Sequence, residues 1–256
     1  MQRYFVDPRM WVDDMVSITG DDAHHLTRVM RAEEGDVVIV SDGLGREAKA
    51  KLVSFEKSEV KAAVLEALPL EAEPSVDVWI GQSLPKGDKM ETVIQKGTEI
   101  GAARFVPFLS ERTVVQYDAR KEAKRTERWG KIAKEAAEQA HRNRIPAIEP
   151  VRSWKELLQL AREADAAWLC YEKEDAVGLK DALLSWKAER GGKDGLKPKL
   201  LLLVGPEGGF SEKEAAEAEA AGCRVVTLGK RILRTETAAM VGLSCILYEV
   251  GEMGGQ

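Results

Sequence analysis

Two stretches near the C-terminus combine residue types that can hold a small molecule and act on it. One is Leu203-Val204-Gly205-Pro206-Glu207-Gly208-Gly209-Phe210-Ser211, and the other is Leu228-Gly229-Lys230-Arg231-Ile232-Leu233-Arg234-Thr235-Glu236-Thr237-Ala238. Glycine lets a backbone approach a ligand closely or adopt positive φ, while Glu207, Arg234 and Glu236 bring both signs of charge to the same loops. A phosphate cradle is the first alternative for such glycines. Neither G-x-G-x-x-G nor G-x-x-x-x-G-K-[ST] occurs at either loop, so the pair suits a ligand gripped by backbone and apolar groups instead.

Both loops need elements to position them. Each follows an apolar run of strand length, Leu200 to Val204 and Val225 to Leu228, and each leads into a helical pattern. That places them at the carboxyl ends of neighbouring strands, where open α/β sheets bind ligands. Ser211 and Glu214 form a capping box opening a helix near Glu212, and Thr235 is the expected N-cap of a closing helix over Glu236 to Val250. That helix is apolar nearly all round, through Ala238, Met240, Val241, Leu243, Cys245, Ile246, Leu247 and Tyr248, which a subunit interface would explain.

The first seventy residues read differently. Short β-rich runs separated by turns such as Ser41-Asp42-Gly43-Leu44-Gly45, with one helix over Asp21 to Met30, predict a small barrel. Proline and acid content at Pro69 to Pro74 marks a linker, giving a barrel domain at 1–70 and an α/β domain at 75–256. In the helix predicted after Lys89, the residues Met90, Val93, Ile94, Gly97 and Gly101 share a packing face, with Lys89, Lys96 and Glu99 away from it. Arg190 to Lys199 reads as an exposed loop.

With 256 residues, 44% of them apolar, the chain can build a proper core. Its net charge of −5 gives no general attraction to a polyanion, so nucleic-acid binding needs a local basic surface. Arg120 to Arg144 supplies one candidate, with nine Lys or Arg against four Glu; a solvated helix face with interleaved charges is the alternative. Cys170, Cys223 and Cys245 are too scattered for a disulfide framework or zinc site and read as small buried residues, and no metal is expected. The longest uncharged apolar stretch, Ala238 to Tyr248, falls short of the roughly 18 residues a bilayer span needs. With no signal-peptide pattern at Met1 to Tyr4, no membrane partner and a cytoplasmic location are expected.

The two loops together resemble those of the RsmE-type ribosomal RNA methyltransferases, uridine N3-methyltransferases of the SPOUT class. Further segments are similar in order: His24-His25-Leu26 with Val29-Met30-Arg31, Gly81-Gln82 through Lys86-Gly87-Asp88-Lys89-Met90-Glu91, Gln95-Lys96 with Glu99, Ser110-Glu111-Arg112, and Glu138-Gln139 with Arg142-Asn143-Arg144-Ile145-Pro146. The resemblance spans nearly the whole chain. It implies a PUA-like β-barrel followed by an α/β domain with a trefoil knot, a homodimer, and S-adenosyl-L-methionine as cofactor. The cofactor would lie against Leu203, Val204, Gly205, Pro206, Glu207, Gly208, Leu228, Gly229, Ile232, Leu233, Arg234 and Thr237.

The implied substrate is a decoding-region uridine of 16S ribosomal RNA, in an assembled or nearly assembled small subunit. Uracil N3 is a poor nucleophile until its proton leaves, so catalysis must hold an anionic ring; Arg234 is the first candidate donor to the ring oxygens, with Glu207 near the reacting groups. No general base is evident. Because N3 lies on the Watson–Crick edge, the base must be unpaired first. Arg3, Arg9, Arg28, Arg31, Lys86, Lys96, Arg112, Arg142 and Arg144 are the expected RNA contacts. Two other classes compete: a non-catalytic RNA-binding assembly factor on the same fold, and a dinucleotide enzyme with an atypical glycine loop.

Overall fold

β-Branched and small residues alternating along the first seventy positions form six short strands. These are β1 (Arg3–Phe5), β2 (Trp11–Val12), β3 (Met15–Thr19), β4 (Val37–Ser41), β5 (Glu47–Phe55) and β6 (Glu59–Ala67), joined in the order β1-β4-β5-β6-β3-β2. The β1–β4 pair is parallel and the others are antiparallel. Val16, Ile18, Val38, Val40, Ala48, Ala50, Leu52, Val60 and Ala62 point into one core, as the two-residue period of a half-buried sheet requires. The predicted helix over Asp21 to Met30 is a single turn, α1 (Gly20–His24), continued by a wider π-helical segment, His25–Val29.

The computed structural model describes residues 1–115, 118–172, 177–190 and 197–255. Most of the predicted Arg190 to Lys199 loop, 191–196, lies outside the described residues. Two units divide the chain: 1–73 with 134–145, and 74–133 with 146–256. The inclusion of 134–145 in the first unit has a specific cause. Arg3 pairs with Glu47 and donates to the Arg142 carbonyl at 2.9 Å, while Arg142 Nη2 donates to Glu73 at 2.6 Å. Asn143 Nδ2 donates to Glu47 at 2.7 Å, and its Oδ1 accepts the Ala72 N–H at 2.8 Å. This network corrects two expected RNA contacts. Arg3 and Arg142 are buried, and a buried guanidinium must be matched by carboxylates and carbonyls within the fold, so neither presents its charge to a polyanion.

The second unit alternates strands and helices. Its strands are β7 (Asp77–Ser83), β8 (Arg104–Leu109), β9 (Ala147–Ile148), β10 (Arg152–Ser153), β11 (Ala166–Cys170), β12 (Val177–Gly178), β13 (Lys199–Val204) and β14 (Arg224–Thr227). All pair in parallel, in the order β10-β8-β7-β13-β11-β14-β12, with β9 beside β8. Its helices are α2 (Lys89–Ile100), α3 (Ala119–Gln139, which runs on into the first unit), α4 (Trp154–Glu163), α5 (Leu179–Arg190), α6 (Glu212–Ala220) and α7 (Thr235–Glu249). Helices α2, α5 and α7 pack on one face of the sheet, and α4 and α6 on the other. Strand β13 is central and covered on both sides, which is why it reads as an unbroken apolar run. Its neighbour carries Gly81 opposite Leu203; a Cβ there would sit 2.6 Å from the leucine Cδ2.

Three expectations need correcting. Strands β13 and β14 are not neighbours, because β11 lies between them. Arg234, not Thr235, is the N-cap of α7, since the Thr235 hydroxyl is used across the chain at Gly205. Of the cysteines, Cys223 is buried, Cys170 is half-buried and Cys245 is exposed on α7, where Tyr248 is exposed as well.

Candidate functional site

The two glycine loops line one cleft of about 680 Å³ at the carboxyl end of the sheet. This is the size range of small-molecule sites. Because β11 separates the two parent strands, its own end, Cys170, Tyr171 and Glu172, supplies part of the wall. Sequence periodicity gave no reason to assign these three a role. Burial pushes the Cys170 thiol up to about 12, so it is a neutral wall group rather than a nucleophile.

The first loop is held at every flank. Phe210 is a buried plug stacked on Phe108 (ring centroids 6.2 Å apart) and tilted against Trp154 (5.7 Å). Ser211 and Glu214 form the predicted capping box. Its carboxylate also accepts the Glu111 N–H at 2.8 Å, and Ser211 Oγ donates to the Glu111 carboxylate at 2.8 Å. Arg112 Nη1 then donates to the Gly208 carbonyl at 2.9 Å. The Ser110 to Thr113 segment that carries Arg112 is pinned by hydroxyls: Ser83, Ser110 and Thr113 lie within 3.1 Å of one another. Gly205 sits in tight space, because a Cβ there would come within 3.2 Å of the Gly209 carbonyl carbon and the Phe210 ring.

Beneath the loops lies a buried polar link. Gln82 Nε2, at the end of β7, donates to Thr235 Oγ1 at 2.8 Å, and Thr235 Oγ1 donates to the Gly205 carbonyl at 2.6 Å. One chain of hydrogen bonds therefore joins β7, the first loop and the head of α7. In the second loop Gly229 has φ of +115°, which disfavours any side chain, and Thr227 Oγ1 bonds both its N–H and its carbonyl at 3.2 Å. Beyond it Arg231, Ile232 and Arg234 are exposed at the rim, Ile232 to 84%.

Lys89 was expected on the outer face of α2, yet it lines the cleft. Its ammonium donates to Glu207 Oε1 at 2.7 Å and lies 3.8 Å from Glu236 Oε2. Glu207 Oε1 also accepts the Lys86 N–H at 3.0 Å. Burial alone would raise the Glu207 carboxyl, but the Lys89 ammonium and the backbone N–H donors outweigh it and hold it below the usual carboxylate range. Glu207 is thus an ionised acceptor at neutral pH and a weak proton base.

Of the expected cofactor residues, Val204, Gly205, Pro206, Glu207, Gly208, Leu228, Gly229, Ile232, Leu233 and Arg234 line the cleft. Leu203 and Thr237 are not among the lining residues. The Leu203 side chain points into the core with Leu201, by strand alternation, and Thr237 is half-buried on α7. Of the expected RNA contacts, Lys86, Lys96 and Arg112 are exposed in the second unit, with Lys96 paired to Glu99 at 2.8 Å. In the first unit Arg9, Arg28, Arg31 and Arg144 are exposed, with Arg9 paired to Asp7. Elsewhere in the basic segment, Arg128 pairs with Glu91, Lys131 with Glu127 and Lys134 with Asp22, so part of its charge is used internally.

The chain is similar to known proteins over nearly its whole length. The RNA methyltransferase domain model matches residues 72–247, and the RNA methyltransferase PUA domain model matches 18–65. Ribosomal RNA small subunit methyltransferase E of Bacillus subtilis (strain 168) is 41% identical over 261 residues, covering 100% of this chain and 99% of that one. The protein of the same name from Mycobacterium tuberculosis is 32% identical, covering 95% and 90%. Among solved structures, a ribosomal RNA small subunit methyltransferase E from Neisseria gonorrhoeae bound to S-adenosyl methionine superposes with a TM-score of 0.82 at 30% identity, covering 97% of each chain.

Proposed function

The chain belongs to the RNA methyltransferase family, and from that premise we propose that it transfers a methyl group from S-adenosyl-L-methionine to N3 of a uridine in 16S ribosomal RNA. The observation that carries the reading is the convergence of both strand-end loops on one backbone-lined cleft, with Glu207 inside and Arg234 at its rim. The residues fit the cofactor. Gly229 leaves open space where a side chain would stand, and Val204, Leu228, Ile232 and Leu233 offer apolar surface for an adenine ring. Phosphate-binding spacing, which this cofactor does not need, is missing from both loops.

Bound there, S-adenosyl-L-methionine supplies a methyl group already activated on a sulfonium. The chain's own contribution is position and charge. Arg234 donates to the uracil oxygens as the N3 proton passes to solvent water, stabilising the anionic ring where charge develops. Glu207, ionised and fixed by Lys89, is an oriented negative group at the reacting centre, and its depressed basicity argues against its taking the N3 proton. Alignment of N3 with the methyl carbon supplies much of the rate. Exposed Lys86, Arg112, Arg28, Arg31 and Arg144 hold RNA phosphates and so position rather than specify the substrate.

The protein acts on the small ribosomal subunit in the cytoplasm, as a homodimer in which a second copy covers the exposed Cys245 and Tyr248 of α7. No described helix is long and apolar enough to cross a membrane. The test is transfer from labelled cofactor to small subunits of a strain lacking the modification, with nucleoside mass spectrometry locating the methyl group. RNA binding without transfer and without affinity for S-adenosylhomocysteine would instead favour an assembly factor.

A further inference from the structure

We propose that Lys89 is a positioning residue of the transfer reaction: its ammonium ties Glu207 of the first loop to Glu236 at the head of α7 and so sets the carboxylate that faces the cleft. This rests on the methyl-transfer reading above. Three elements meet at that nitrogen. Lys89 stands at the first position of α2, Glu207 hangs from the loop after β13, and Glu236 lies in the first turn of α7.

A purely structural ion pair would sit more comfortably elsewhere. Lys89 is not on the packing face of α2; half-buried, it lines the cleft together with Glu207. Glu236 Oε2 is buried and has no hydrogen-bond partner among the described residues, and the Lys89 ammonium 3.8 Å away offsets its charge. Several polar groups among the described residues meet at Glu207, its own backbone N–H included. The Lys86 N–H comes from the turn before α2, Lys89 from the first position of α2, Glu236 from α7, and Arg112 grips the adjacent Gly208 carbonyl from the segment after β8. Two carboxylates share one ammonium. Without it Glu207 loses its short hydrogen bond and gains an uncompensated like charge nearby, so it swings or takes up a proton.

The consequence separates positioning from scaffolding. Loss of Lys89 moves the protonation of Glu207 to higher pH, because burial then acts with less opposition. Activity that needs the carboxylate ionised therefore gains an acid limb at higher pH. A scaffold residue would lower activity at all pH values alike.

The experiment compares wild type, Lys89→Met, Lys89→Arg and Glu207→Gln in methyl transfer to unmodified small subunits across pH, alongside thermal unfolding and titration with S-adenosylhomocysteine. Expected for Lys89→Met is a kcat lower by about tenfold to a hundredfold, a cofactor-product affinity changed by less than roughly threefold, and an acid limb moved upward. Lys89→Arg, which keeps the charge, restores most of kcat and the limb, and Glu207→Gln lowers kcat and has no limb. The proposal is overturned if Lys89→Met keeps kcat within about twofold, or if kcat, affinity and unfolding temperature fall together with an unmoved limb and no rescue by arginine. Should Lys89→Met not fold, Lys89→Arg against Glu207→Gln decides by the same limb. Wild-type protein that binds S-adenosylhomocysteine but transfers no methyl group would instead refute the methyl-transfer reading on which the proposal stands.

Discussion

The Gln82 amide and the Thr235 hydroxyl, 153 positions apart in sequence, are 2.8 Å apart in the fold. Thr235 passes the bond on to the Gly205 carbonyl, so the end of a central strand senses the seating of both loops. Both side chains are buried. Thr235→Val keeps the shape but strands a donor and an acceptor, at a cost of about 1–3 kcal/mol. Thr235→Ser keeps the hydroxyl and most of the stability. Urea unfolding, together with titration of S-adenosylhomocysteine, checks this; equal behaviour of the two variants would show that the hydroxyl is not what matters.

Arg142 and Arg144 lie two residues apart and do opposite work. Arg142 is buried against Glu73 and its carbonyl accepts from Arg3, whereas Arg144 is exposed. Arg142→Gln leaves Glu73 short of its partner, and breaking a buried pair from one side costs about 3–5 kcal/mol. Arg144→Gln leaves stability nearly unchanged and lowers RNA affinity, with a shallower dependence on salt. Unfolding curves and RNA binding at several salt concentrations separate the two residues. A destabilised Arg144→Gln, or an intact Arg142→Gln with weaker RNA binding, would reverse the assignment.

What the sequence conveyed, and what it withheld, follows from the range of the forces involved. The β13 run and the Ser211–Glu214 box are local, so periodicity and capping chemistry located them. The insertion of β11 between β13 and β14 is a matter of topology, invisible to any window of neighbouring residues, and with it went the wall role of Cys170 to Glu172. Arg3 and Arg142 look like any other cations until their carboxylates, 44 and 69 positions away, are brought to them. Lys89 had a signal of its own: first place in a helix is a poor position for a cation near the positive end of the dipole, which hints at a partner from outside the helix. The loop motifs named the site because they concentrate residues whose backbones must do unusual things.

Gly205→Ala tests that last point directly. The added methyl would lie 3.2 Å from the Gly209 backbone and the Phe210 ring, and Phe210 is locked between Phe108 and Trp154. Since the ring cannot yield, the loop must. Affinity for S-adenosylhomocysteine should fall by about tenfold or more, equivalent to roughly 1.4 kcal/mol, with a smaller loss in unfolding temperature. Calorimetric titration measures it, and undiminished affinity would mean that the ligand does not lie against this turn.

Glu138 makes the stability of the first unit depend on pH. Burial is the largest influence and raises its carboxyl from 4.5 to about 7; the Phe5 N–H and Lys134 oppose it, and Asp22 and Glu135 add to it. Between those values the folded protein holds a proton that the unfolded chain has released. Stability therefore falls as pH rises through this interval and remains lower above it, by an amount on the order of 1–3 kcal/mol. Glu138→Gln keeps an acceptor for the Phe5 N–H at 2.9 Å but has no charge to desolvate. Urea midpoints at about pH 5 and about pH 8 should drop for wild type and change less for the variant, with the variant the more stable at the higher pH. Parallel slopes for the two proteins would place the titrating group elsewhere.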